Sequence, residues 1–169
     1  DAPPPVFINQ NGKFAEKGAA LGLDITATTT GLAFADYDRD GDLDLYLVTY
    51  RRTPPADFKG NPVRENGRLM PPKHHREYIA LMNKPGQGVV IVNAGQPDRL
   101  MRNDGGTFTD VTQSAGIAPK GGAHYEMGLS ARFWDYDGDG WQDLYVANDF
   151  FGADRLYHNQ NGTFVEVTE

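Results

Sequence analysis

There is no cysteine among the 169 residues. A disulfide framework, a Cys-based zinc site, an iron–sulfur cluster, a thiol nucleophile and covalent haem attachment are all excluded by that absence. Long apolar runs are missing too, the longest being a handful of residues where a membrane-spanning helix needs roughly 20. Positive charge is scarce, 16 Lys and Arg against 23 Asp and Glu for a net charge of −7, so the electrostatic footprint of a nucleic-acid binder is lacking. The opening Asp1-Ala2-Pro3-Pro4-Pro5 does not have the form of a secretory signal peptide. What is plentiful is turn and strand chemistry. Twenty glycines and eleven prolines, with eight Tyr, nine Phe and two Trp, point to an all-β chain of short strands joined by many turns.

The chain repeats itself. Phe34-Ala35-Asp36-Tyr37-Asp38-Arg39-Asp40-Gly41-Asp42-Leu43-Asp44-Leu45-Tyr46-Leu47 is answered by Phe133-Trp134-Asp135-Tyr136-Asp137-Gly138-Asp139-Gly140-Trp141-Gln142-Asp143-Leu144-Tyr145-Val146. A second motif occurs three times, at Asn9–Phe14, Asn103–Phe108 and Asn159–Phe164, and the first two copies are followed by glycine turns at Gly22 and Gly116. Asn-Gly between apolar flanks is a strong hairpin signal. Leu45–Val48 and Leu144–Ala147 are apolar on both faces and read as strands buried on both sides. Small antiparallel sheets that each need a neighbour are the sequence form of propeller blades or a solenoid. The spacing divides the chain into a first repeat with its Asp-rich loop (1–50), an insertion (51–98), a second repeat (99–153) and the start of a third (154–169). The insertion holds eight of the basic residues and only four acids. In it Pro71-Pro72 is expected to start a short helix and Val89–Val92 to form a strand. Its basic residues Arg51, Arg52, Lys73 and Arg76 are expected to form an exposed face.

The two Asp-rich loops carry the chemistry. Asp36, Asp38, Asp40 and Asp44 occupy positions 1, 3, 5 and 9 of one loop with Gly41 at position 6, and Asp135, Asp137, Asp139, Asp143 and Gly140 repeat the plan. Four carboxylates within nine residues repel one another unless a cation sits among them. Alternating oxygen ligands with a glycine at the sharp turn suit calcium, which takes six to eight oxygens at roughly 2.3–2.6 Å. Position 7 needs only its backbone carbonyl, so Asp42 and Trp141 can stand in equivalent places. An EF-hand is excluded because position 12 is Leu47 or Val146 rather than a bidentate Glu. The loops contain nine of the 23 acids, so the rest of the chain is nearly neutral. Two calcium ions are therefore expected, one per loop.

The pattern Asp-x-Asp-x-Asp-Gly-x-x-Asp-Leu-Tyr, with the later Asp154-Arg155-Leu156-Tyr157-His158-Asn159-Gln160-Asn161-Gly162-Thr163-Phe164, resembles the FG-GAP/VCBS repeat family over Phe7–Tyr50 and Arg99–Glu169. Its wording is most similar to secreted VCBS proteins of the ASPIC/UnbV, cartilage-acidic-protein-like group. The resemblance implies integrin-α-like β-propeller blades, with calcium held by Asp36, Asp38, Asp40, Asp44, Asp135, Asp137, Asp139 and Asp143. Two repeats and a fragment are too few to close a ring. The chain is thus expected to be part of a longer polypeptide or to assemble into a ring or fibre.

No catalytic constellation accompanies these loops. His74-His75-Arg76-Glu77 lacks HExxH spacing, His124, Glu126 and His158 read as structural, and neither Ser114 nor Ser130 lies in a nucleophile elbow. The aromatic group Phe133, Trp134, Tyr136, with Phe150-Phe151, reads as core packing. Trp141 is expected to face outward. The sequence therefore suggests an extracellular, cell-surface or periplasmic calcium-binding module for adhesion, scaffolding or protein–protein interaction, without enzymatic activity. The alternative is a polysaccharide-binding accessory propeller of a larger secreted enzyme or lectin, with a glycan stacked on Trp141.

Overall fold

A computed structural model describes residues 3–58, 61–117, 127–149 and 152–168; His124, Glu126, Phe150 and Phe151 lie outside them. Among the described residues all regular structure is β apart from two single 3-10 turns, Ala19–Leu21 and Lys73–His75. The apolar-on-both-faces strands lie where expected. β3 (Thr29–Ala35) and β4 (Asp44–Thr49) form one hairpin, and β11 (Gly128–Trp134) and β12 (Asp143–Asn148) form its counterpart, each closed by an Asp-rich loop. Every residue of β4 is buried.

Each hairpin grows into a four-stranded antiparallel sheet. β9 (Arg99–Asn103) pairs with β4, and β10 (Phe108–Asp110) pairs with β9, giving the order β3-β4-β9-β10. β13 (Arg155–Gln160) and β14 (Thr163–Glu166) extend the second sheet as β11-β12-β13-β14. These are two propeller-type blades of one design.

The strands group across the divisions suggested by the repeats. Residues 99–110 complete the sheet begun at 29–49, and 155–166 complete the sheet begun at 128–148 instead of opening a third. The physical reason is edge pairing. The free edge of β4 or β12 is satisfied by the hairpin carrying the next copy of the Asn-Gly-Phe motif, whether 6 residues or 49 intervene between the strands.

The same pairing leaves β1 (Phe7–Gln10) and β2 (Lys13–Glu16) as a separate hairpin, a two-stranded sheet of its own. Its residues match β13–β14 position for position, yet Phe14 is 69% exposed where Phe164 is 2% exposed, and Phe7 is 55% exposed where Tyr157 is 8% exposed.

The blades pack face to face through one core, with Tyr46, Val48 and Leu100 from the first against Leu144, Val146 and Phe164 from the second. Phe133 meets both Tyr46 and Phe164 edge-on or tilted, at centroid separations of 6.4 and 6.5 Å. The two glycine turns seat the outer hairpins. Gly22 and Gly116 both have positive φ (78° and 88°), and a Cβ on either would stand 2.3 Å from the carbonyl oxygen of Phe108 or Phe164 respectively. Only glycine fits both demands.

The insertion is two further hairpins. β5 (Val63–Glu65) pairs with β6 (Arg68–Met70), and β7 (Ile79–Lys84) with β8 (Gly88–Asn93). Val89–Val92 is in a strand as expected, but Pro71-Pro72 starts only the single turn Lys73–His75. Ile79–Lys84 continues as strand because β8 offers it a full ladder of partners and buries Ala80 and Val92 together. The stem is pinched shut where Gln96 N donates to Tyr50 O and Thr49 Oγ1 donates to Gln96 O, at 2.7 and 2.8 Å. Two of the four residues of the expected basic face are paired from within, Arg52 to Glu77 and Arg76 to Glu65, while Arg51 and Lys73 are exposed.

Candidate metal centres

Both Asp-rich loops run between the first two strands of a blade and fold by one hydrogen-bond scheme. The position-6 amide donates back to position 1, Gly41 N to Asp36 Oδ2 at 3.2 Å and Gly140 N to Asp135 Oδ2 at 2.8 Å. The position-7 amide donates to position 5, Asp42 N to Asp40 Oδ1 and Trp141 N to Asp139 Oδ1, both at 2.8 Å. Asn and Asp side chains hold turns in this way, and Gly41 and Gly140, at φ 97° and 89°, supply the left-handed corner.

The outcome is a convergence of carboxylates. One oxygen each from Asp36, Asp38 and Asp40 lies within 4.8 Å of the others, and so do oxygens of Asp135, Asp137 and Asp139. In the first loop Asp36 Oδ1 and Asp38 Oδ1 are buried and accept no hydrogen bond. A buried carboxylate oxygen without a donor is costly. Either cluster has the oxygen-only donor set that holds a hard cation.

Position 9 does a second job. Asp44 and Asp143 are fully buried. Their Oδ2 atoms accept the Tyr37 and Tyr136 amides at 3.1 and 2.9 Å. Their Oδ1 atoms accept the Asn103 and Asn159 amides of the third strand at 2.9 and 2.8 Å. Each therefore bolts its loop to the outer hairpin. Asp44 stands outside the first triad, whereas Asp143 groups with Asp137 and His158. Burial pushes the Asp44 carboxyl up to about 6, against the amides of Asn103 and Tyr37 that favour its charge, with Asp38 and Asp40 adding to the rise. Asp38 is raised by burial and by Asp40. Tyr37 is pushed up to about 12 by burial, Asp38 and Asp44. This is an environment that resists its own negative charge, which a cation relieves.

Position 7 places its side chain elsewhere. Asp42 Oδ2 accepts Gly105 N at 2.8 Å. One face of Trp141, expected to point outward, is covered by Arg39 of the first loop, which lies over the indole at 4.1 Å and also donates to Gly140 O. The loops are thereby joined. Asn159 Nδ2 strengthens the joint by donating to both Tyr37 O and Gln142 O at 2.9 Å, and Tyr37 rests on Phe164 at 5.5 Å.

His158 was not expected at the site. Its Nδ1 lies 3.2 Å from Asp143 Oδ1 and 3.5 Å from Asp137 Oδ2. The signal available was its place beside Asn159 in the motif that follows the loop, but the motif's other copies have Ile8 and Arg102 there. Asp98 has no local sequence signal, and Asp154 stands at the head of the final repeat motif, where it reads as a turn residue. Both accept a tyrosine hydroxyl from β4 or β12, of Tyr46 and Tyr145, and a backbone amide of the same strand, from Thr49 and Asn148. Each immediately precedes the arginine that pairs with an acid on the neighbouring strand, Arg99 of β9 with Asp110 of β10 and Arg155 of β13 with Glu166 of β14.

Residues 1–47 and 135–169 match the family described as FG-GAP-like repeat. These two segments are FG-GAP-like repeats. The matched segments contain both aspartate loops and both end hairpins, and they omit the insertion. No curated protein matches the chain.

Proposed function

We propose that this chain with FG-GAP-like repeats is a calcium-stabilised extracellular module for protein–protein contact, with two ions and no catalytic activity of its own. The observation that carries the reading is the pair of buried, undonated oxygens, Asp36 Oδ1 and Asp38 Oδ1, at the centre of a loop whose plan recurs at 135–143. Calcium would be held by Asp36, Asp38 and Asp40 in one loop and Asp135, Asp137 and Asp139 in the other. Asp44, Asp143 and the carbonyls of Asp42 and Trp141 are the further oxygens at hand. Bound ions would neutralise the loops and lock them to each other through Arg39 and Trp141. A rigid rim of loops on packed sheets is a suitable surface for a protein partner.

Calcium at millimolar concentration, as outside cells, fills even weak sites. The polysaccharide alternative loses its main support, since Arg39 covers a face of the ring on which a sugar would stack. Removal of metal tests the proposal. In EDTA the melting temperature is expected to drop and to recover with calcium in preference to magnesium, because a ligand at 100 times its Kd adds about 2.7 kcal/mol per site. An identical melt in EDTA and in calcium contradicts it.

A further inference from the structure

Each half of the joint between the two blades occurs a second time in the chain, and both second halves are exposed. In the joint itself β13–β14 sits on the first aspartate loop. Phe164 rests on Tyr37 at 5.5 Å, Asn159 Nδ2 donates to Tyr37 O at 2.9 Å, and a Cβ on Gly162 at the hairpin tip would stand 3.5 Å from the Cβ of Asp38. The same places in β1–β2 are held by Phe14, Asn9 and Gly12, and those in the second loop by Tyr136 and Asp137. We propose that the β1–β2 hairpin of one copy of this chain docks on the second aspartate loop of another copy, repeating that joint head to tail.

Both halves are already built. Strand register puts Phe7, Asn9 and Phe14 on one face of the hairpin, as it puts Tyr157, Asn159 and Phe164 on one face of β13–β14. Asn9 Oδ1 accepts the Gly12 amide and Asn159 Oδ1 the Gly162 amide, both at 2.8 Å, so Asn9 offers its Nδ2 donor in the way that Asn159 does. Phe7, Asn9 and Phe14 are all exposed, and among the described residues a Cβ on Gly12 would meet nothing within 4 Å. The receiving face is an aromatic panel. Trp134 stands edge-on to Tyr136 and Tyr145 at centroid separations of 6.4 and 6.1 Å, and Val165 pairs with His158, whose ring meets Tyr136 at 5.8 Å. Tyr136 and Val165 are exposed.

Charge favours the same occupant. The hairpin tip carries an exposed Lys13 where β13–β14 has Thr163. A tip seated on Asp137 as Gly162 is seated on Asp38 brings that ammonium group to the exposed carboxylates of Asp137 and Asp139. The two faces differ, so the pairing is heterologous, each copy using its hairpin on one neighbour and its loop on the other. Covering exposed aromatic surface drives it. The proposal rests on the contact role given above and names the partner. Sedimentation reads it and calcium titration reads the metal, so the two can fail separately.

The test is complementation, followed by sedimentation velocity of the full chain in calcium buffer. Phe14→Ser spoils the hairpin and leaves the loop, and Tyr136→Ser spoils the loop and leaves the hairpin. Both positions are exposed, so circular dichroism is expected to stay native. The parent is expected to associate as its concentration rises, and each variant alone to stay monomeric. An equimolar mixture of the two is expected to give a dimer and nothing larger, because the intact hairpin of one meets the intact loop of the other. Asn9→Asp keeps the oxygen that accepts the Gly12 amide and loses the donor. It is expected to weaken the parent's association about fivefold or more, as one hydrogen bond is worth, and it decides the matter if Phe14→Ser or Tyr136→Ser does not fold. A parent that stays monomeric up to about 1 mM, a single variant that associates as the parent does, a mixture that stays monomeric, or an Asn9→Asp chain that associates unchanged would overturn the proposal.

Discussion

At the residue scale, the aspartates divide into those that gather and those that fasten. Positions 1, 3 and 5 of each loop gather three oxygens within 4.8 Å, and position 9 fastens the loop by accepting one amide from its own turn and one from the third strand. The two kinds of substitution should separate in experiment. Asp139→Ala is expected to remove one of two calcium ions and cost little stability in EDTA, since its carboxylate is exposed and answers only the Trp141 amide. Elemental analysis of the dialysed variant and its melt in chelator check this; loss of both ions or of neither would count against independent loops. The gathering role was legible in the sequence because alternate aspartates, with a glycine at position 6 to turn the chain, bring their carboxylates to one side of a loop. The fastening role was not, since nothing local to the loop says that the Asn103 or Asn159 amide will arrive from 59 or 16 residues on.

At the scale of elements, the strands themselves were readable and their partners were not. Apolar runs on both faces marked β4 and β12, and Asn-Gly marked the outer hairpins, but the repeat order alone could not say which hairpin joins which sheet. That depends on the open edge of β4, which waits through the whole insertion for β9. The helix expected after Pro71-Pro72 shows the same limit, because long-range pairing with β8 outweighs a local start signal. The glycine turns are the joints of this scheme. Gly116→Ala is expected to destabilise the fold by about 2 kcal/mol or more, combining a left-handed φ with a backbone clash. A denaturation midpoint within error of the parent would show that the seat is softer than described.

The third–fourth strand pairing gives a pH signature. Burial raises the Asp110 carboxyl, but hydrogen bonds from Thr112 and the Arg99 charge outweigh it and hold the group below its ordinary value. A lowered folded value means that the carboxylate's contribution is present above the unfolded value of about 3.9 and is lost as pH falls through the folded one. The melting difference between the parent and Asp110→Asn is therefore expected at pH 7 and should close below about pH 4. Solvent screening keeps it small, as Asp110 is 39% exposed. A difference that widens in acid would contradict the assignment.

For the whole molecule, two blades mesh and their outer surfaces remain uncovered. In the first blade the loop tyrosine, Tyr37, is 3% exposed under Phe164 of the second, whereas its equivalent in the second, Tyr136, is 41% exposed. At the other end Phe7 and Phe14 are bare where their equivalents are buried. Uncovered apolar faces favour association. The double change Phe7→Ser and Phe14→Ser is expected to lower self-association in sedimentation velocity at high concentration, and unchanged sedimentation would show that these faces do not drive it. The proposed calcium sites in both aspartate loops are tested by isothermal titration of the metal-stripped protein with calcium. Two ions bound per chain, falling to one with Asp38→Ala or Asp139→Ala, is the expected result; an absence of saturable calcium binding would contradict the proposal.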